Sequence, residues 1–134
     1  MVCYKCSTKT QIINSRLQKR SNDVWRRRKC YQCHMIFTTH ESTDFTALWR
    51  VTNVKVALMP FYRDKLFLSL YSSLQHRPTA LTDAGGLTNT ILAKLTPVVV
   101  DGLLQSSSIV QIASVALHRF DGAASVHYQA FHKL

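Results

Sequence analysis

Cys3-Tyr4-Lys5-Cys6 and Cys30-Tyr31-Gln32-Cys33 decide how this sequence folds, because these two C-x-x-C pairs hold all four cysteines of the chain. Each pair fits a tight turn whose sulfurs converge, and two such turns supply the four thiolates of a tetrahedral zinc site. The 23 residues between the pairs exceed the usual ribbon spacing, an excess that a hairpin absorbs. The competing readings are a redox C-x-x-C motif or two disulfides, which paired motifs at this spacing rarely represent. Four thiolates leave no open coordination position, so the expected metal is one structural Zn²⁺ per chain on Cys3, Cys6, Cys30 and Cys33. A zinc deaminase needs H-x-E and then P-C-x-x-C. Here His40-Glu41-Ser42 follows the second pair, and no proline precedes either one. His34 and His40 are expected at the surface or in packing rather than as ligands.

Between the knuckles, Ile12-Ile13 and Val24-Trp25 read as the apolar parts of two strands joined by a polar turn near Ser21-Asn22-Asp23. The charge is uneven. The chain has a net charge of +10, yet its first 33 residues carry nine of the 17 Lys and Arg residues against the single acid Asp23. Zinc with four thiolates contributes about −2, which leaves the ribbon strongly basic. A charge run such as Arg26-Arg27-Arg28-Lys29 is commonly just a solvated face. Held on a small metal-bound scaffold, with Arg16 and Arg20 one strand away, it better fits phosphate contacts and an arginine reaching a guanine edge. The candidate DNA-binding set is therefore Arg16, Arg20, Arg26, Arg27, Arg28 and Lys29. Alternation along a strand allows only part of the run to face DNA at once.

After the second knuckle, Met35 to Glu41 reads as a strand leading into a polar hinge. Two modules follow from the charge asymmetry, a ribbon and hinge over 1–45 and a second domain over 46–134. Ala47 to Pro60 reads as a strand or hairpin. Helical periodicity begins at Phe61, with Leu66, Phe67, Leu70, Tyr71 and Leu74, and Pro78 stops it. A second stretch after Thr82 aligns Leu87, Ile91, Leu92 and Leu95, with Gly85-Gly86 weakening its first turn. Ser106-Ser107-Ser108 are expected to cap a third helix carrying Ile109, Ile112, Ala113, Ala116 and Leu117. A last segment from Ala123 to Leu134 places Tyr128 and Phe131 on an apolar face. The fold class is α+β: an N-terminal four-cysteine zinc ribbon, then a mostly helical domain of about four helices with a short β-hairpin.

Enzyme signatures are missing: no Walker motif, G-x-G-x-x-G, H-E-x-x-H or G-x-S-x-G occurs, and no nucleophile stands with its base. A non-enzyme is expected. The longest uncharged stretch, Gly102 to Leu117, is short for a membrane span and contains several Ser and Gln residues. The opening residues do not read as a secretory signal. The expected setting is the bacterial cytoplasm, nucleoid-associated, with no membrane partner.

In order and spacing, Cys3-x-x-Cys6, Asn14-Ser15-Arg16, Arg26-Arg27-Arg28, Cys30-x-x-Cys33 and Phe37-Thr38-Thr39-x-Glu41 resemble the bacterial ribonucleotide reductase repressors, the NrdR family. Pro60-Phe61-x-x-x-Lys65-Leu66 and Arg77-Pro78 look like the ATP-cone that follows its ribbon, and Asp121 to Lys133 tracks its final helix. The resemblance implies a transcriptional repressor whose ribbon binds palindromic promoter boxes in double-stranded DNA. It also implies ATP and dATP as effectors that change how protomers assemble into homo-oligomers, an allosteric scheme. The cone is divergent. Val51-Thr52-Asn53-Val54-Lys55-Val56 keeps the valine of the family's V-x-K-R-D-G strand and puts Asn53 where its phosphate-binding lysine stands. The implied nucleotide-binding residues are Val51, Asn53, Lys55 and Lys65. Ser125 replaces a tyrosine, while His127, His132 and Lys133 replace Arg, Tyr and Arg. The chain ends before the family's C-terminal tail. The alternative from another class is a zinc-ribbon module that binds nucleic acid or protein, with a degenerate, non-sensing cone.

Overall fold

The computed structural model describes residues 1–53 and 55–132. Val54 of the strand motif and Lys133 and Leu134 of the last segment lie outside them. The chain divides into two compact units, Met1–Thr43 and Asp44–Leu134, and its class is α+β.

The first unit is a three-stranded antiparallel sheet in the order β1-β2-β3, from β1 (Thr10–Gln18), β2 (Asp23–Cys30) and β3 (Ile36–Glu41). The β1–β2 register pairs Gln18 with Asp23 and Thr10 with Cys30, and slips by one residue between Ile12 and Asn14. Asn22 closes the hairpin at φ 54°, a left-handed conformation that asparagine tolerates better than most residues. The apolar residues of β1 do not form a core, because Ile12, Ile13 and Leu17 are all exposed. Among the described residues of this unit only Cys3 and Cys30 are buried. A unit this small, with cysteines where its core should be, depends on a cross-link or a metal for stability.

The second unit pairs β4 (Arg50–Asn53) with β5 (Val56–Pro60) antiparallel, and with β6 (Leu103–Gln105) in parallel. A one-turn helix, α1 (Phe45–Leu48), precedes them, capped by the Asp44 carboxylate. Four longer helices follow: α2 (Arg63–Leu74), α3 (Ala80–Leu95), α4 (Ser106–Phe120) and α5 (Gly122–Phe131). Each of α2 and α4 packs on both α3 and α5, which closes the four into a ring. Their buried residues follow the helical period. Leu66, Leu70 and Leu74 recur every fourth position, as do Ala80, Ala84, Thr88 and Leu92.

Four local expectations change. The α2 helix begins at Arg63 rather than Phe61, since Pro60 ends β5 and Phe61 packs into the core beside Trp49, ring centroids 5.3 Å apart. The three serines do not cap α4: Gln105 occupies the cap position, with no side-chain hydrogen bond. Phe131 is 74% exposed although Tyr128 is buried, so α5 turns a narrower apolar face inward than its sequence suggests. Finally, β6 lies inside the uncharged stretch Gly102 to Leu117, just ahead of the third helix, where no strand is expected from sequence. Asp101 and Gly102 sit at φ 51° and 73°, the two left-handed positions of a tight hairpin turn, and Val100 bridges Leu103 across them. A Cβ on Gly102 would stand 3.0 Å from the Leu48 carbonyl oxygen.

Candidate metal centre, nucleic-acid face and nucleotide cavity

Two matching knuckles build the metal centre. Cys3 N–H donates to the Thr8 carbonyl at 2.8 Å, and Cys30 N–H donates to the Met35 carbonyl at 3.0 Å. Each C-x-x-C is followed by a left-handed residue, Ser7 at φ 60° and His34 at φ 59°. That reversal turns the chain back after the second cysteine, and in the first knuckle the Ser7 amide donates to the Cys3 carbonyl at 2.9 Å. The Lys5 amide also donates to Cys3 Sγ at 3.4 Å. All four sulfurs lie within 4.8 Å of one another, with Cys3–Cys33 at 3.7 Å and Cys6–Cys30 at 3.4 Å. Zinc–sulfur bonds of about 2.3 Å put tetrahedral sulfurs about 3.8 Å apart, so this spacing fits zinc. The thiols are free.

The protonation pattern points the same way. Hydrogen bonds from the Thr8 hydroxyl and then the Thr8 amide hold the Cys6 thiol down at about 6. Against the pull of the Met35 amide, burial and the Cys30, Cys6 and Cys3 sulfurs push Cys33 up to about 11. Four sulfurs this close cannot all ionise unaided, and a divalent cation removes that repulsion. Zinc bound there supplies a fixed cross-link between the two knuckles. His34 and His40 are both exposed and outside the cluster.

The ribbon sheet sorts the basic run onto two faces. One face carries Arg26 and Arg28 with Ser15, Phe37, Thr39 and Glu41, by the strand registers. There Arg26 stands 3.5 Å from the Glu41 carboxylate and Arg28 Nε donates to Thr39 Oγ1 at 3.1 Å. The opposite face carries Asn14, Arg16, Trp25, Arg27, Lys29, Thr38 and His40, with Asp23 at its turn end. Arg16 lies directly across from Trp25, and Arg27 from Asn14. On this face Arg16, Arg27, Thr38 and His40 are exposed and Trp25 and Lys29 half-buried, while on the other face both Arg26 and Arg28 are half-buried. Arg20 is exposed in the β1–β2 turn. Trp25, read from sequence only as strand filler, belongs to the open basic face.

In the second unit, Val51, Asn53 and Lys65 line one cavity of about 380 Å³, together with Phe61, Tyr62, Ser69, Ser106, Ile109, Tyr128 and His132. Lys55 is exposed in the β4–β5 turn, outside that lining. Burial pushes the Tyr128 hydroxyl up to about 12, against a hydrogen bond with Ser69. Burial, and then the charge of Lys65, holds His132 below its ordinary value. The rings of Tyr128 and His132 stack at 4.2 Å. Ser69, Ser106, Tyr128 and His132 come from α2, α4 and the end of α5, and no local motif announces their convergence.

Residues 1–41 match the family described as "Transcriptional repressor NrdR-like, N-terminal domain". Relatives named "Transcriptional repressor NrdR" from Streptococcus pneumoniae, strains Hungary19A-6 and R6, are 35% identical over 96 residues. That alignment covers 71% of this chain and 60% of each relative, so the chain spans about three fifths of their length. The match over the zinc ribbon and these relatives agree: residues 1–41 belong to the NrdR-like zinc ribbons, and the chain is similar to the NrdR transcriptional repressors over 71% of its length.

Proposed function

We propose that this chain is a zinc-dependent transcriptional repressor that binds promoter boxes of ribonucleotide reductase genes. The observation that carries the reading is the open sheet face of Arg16, Trp25, Arg27 and Lys29, built on a fold whose buried centre is the four-cysteine cluster. Cations fixed in register on a sheet suit a phosphate backbone, and Asn14 and Arg27 side by side suit base edges in a groove. A homo-oligomer with two-fold symmetry presents two such faces to a palindromic site. Residues 1–45 bind DNA, and 46–134 bind ATP or dATP and set the oligomer. The cavity around Val51, Asn53 and Lys65 supports an effector site over an inert cone. Action on DNA places the chain in the bacterial cytoplasm, and among the described residues no helix is long and apolar enough to cross a membrane.

Fluorescence anisotropy with the zinc-loaded protein and its own reductase promoter tests this reading, without nucleotide, with ATP and with dATP. Specific binding strengthened by dATP is the expected result. Binding indifferent to nucleotide would leave a DNA-binding ribbon with a non-sensing cone. Affinity for promoter no better than for random duplex would end the repressor reading.

A further inference from the structure

We propose that the cavity of the second unit reads the base, the sugar and one phosphate of a nucleotide, leaving further phosphates in solvent without contact. This rests on the effector-site reading above and names what the site recognises. The lining is mostly apolar and aromatic: Val51, Phe61, Tyr62, Ile109 and Tyr128 offer faces for a flat ring and a sugar. Asn53 supplies a donor and an acceptor for its edges, and the Ser69 hydroxyl, which donates to the Leu66 carbonyl at 2.8 Å, keeps an acceptor lone pair.

Charge decides the rest. Among the described lining residues Lys65 carries the only permanent charge. His132 is held toward its neutral form by burial and by Lys65 itself. Arg50 and Arg63 are not among the described lining residues; Arg50 donates to the Thr46 carbonyl at 3.1 Å, and Arg63 to Asn89 Oδ1 at 3.0 Å. A bound triphosphate needs several cations or a nest of amides around its oxygens. One lysine and the start of α4 at Ser106, both in the lining, provide for a single phosphoryl group. Asn53, where a lysine would double that charge, is neutral.

The site therefore distinguishes nucleotides by ring and sugar and is blind to how many phosphates they carry. Calorimetry of the full zinc-loaded chain with AMP, ADP and ATP tests this, at salt high enough to suppress binding to the basic ribbon. NMR shifts at Ser69 and Tyr128 place the ligand. Affinities within about threefold of one another are expected. ATP at least tenfold tighter than AMP at that site would overturn the inference while leaving an effector site in place. No binding by any of the three would remove the effector site itself, and the inference with it. Asn53→Lys adds a cation to the cavity wall and should open a gap of at least tenfold between ATP and AMP. An unchanged ratio in that variant would mean that cavity charge does not set the discrimination, and would also overturn it.

Discussion

The guanidinium of Arg26 lies 3.5 Å from the carboxylate of Glu41, across the β2–β3 pair, while Arg27 next to it in sequence is exposed on the opposite face. A pair whose carboxylate is open to solvent adds little to stability. Its consequence is for binding, because a cation already beside a carboxylate gains less from a phosphate. Arg27→Ala is expected to weaken DNA binding strongly and to reduce the salt slope of log K by about 1, the signature of one lost phosphate contact. Arg26→Ala should do less on both counts. Equal losses in the two variants, measured by anisotropy across a salt series, would contradict the assignment of faces.

The four-cysteine cluster stands in for a hydrophobic core, so metal removal should unfold the ribbon. Chelation, or Cys30→Ser, is expected to abolish its sheet signals in NMR while leaving α2 to α5 folded. Zinc binding at pH 7 should release protons, since the ligands must be thiolates and, against the Met35 amide, burial and the neighbouring sulfurs push the Cys33 thiol up. Affinity should accordingly fall as pH drops. A zinc titration with a pH indicator reads the release directly, and a pH-independent affinity would count against thiolate ligation.

The ribbon was legible in sequence because its determinants are local: two C-x-x-C turns, a polar hairpin turn, and alternation along β2. The faces of that sheet were less so. The one-residue slip near Ile13 reassigns which β1 residue meets which arginine, and spacing alone does not reveal a bulge. In the second unit the stripes of α2 and α3 were plain, since Leu and Ala recur at helical spacing. The β6 strand was missed although Asp101-Gly102 is a strong hairpin signal, because only three strand residues follow before α4 starts. Of the cavity, the resemblance names Val51, Asn53 and Lys65. Ser69, Ser106, Tyr128 and His132 join them only through the packing of α2, α4 and α5, which no local motif announces.

Leu70 is fully buried at the centre of the α2 stripe. Leu70→Ala removes side-chain volume from a site packed by α3 and α5, and should cost about 2–5 kcal/mol. Chemical denaturation followed by helical circular dichroism measures it. Zinc binding by the ribbon is expected to be unchanged, and a loss below about 1 kcal/mol would mean that the helix ring is looser than its burial indicates.

Asp121 gathers three elements at one carboxylate. Its Oδ2 accepts from Arg77 Nη1 at 3.1 Å and lies 2.9 Å from His76 Nε2, both just beyond α2. Its Oδ1 accepts from the Ala124 amide at 3.0 Å and caps α5. Arg77 also bonds Asp83 in the first turn of α3, at 2.9 Å. The Ala124 amide, and then His76, hold the Asp121 carboxyl well below the usual carboxylate range; the Thr79 hydroxyl and Arg77 lower Asp83. A carboxyl with a depressed folded pKa stabilises fully above its unfolded value, near 3.9, and the gain is lost as pH falls from there through the lower folded value. The melting temperature should therefore drop steeply below about pH 4. His132 adds a shallower loss from about pH 6.5 downward, because burial resists its protonation. Asp121→Asn should lower the melting temperature at pH 7 and flatten the acid limb, since the amide keeps a cap acceptor and loses the charge. An acid limb as steep in Asp121→Asn as in the parent would show that the junction between α4 and α5 is not what acid breaks first.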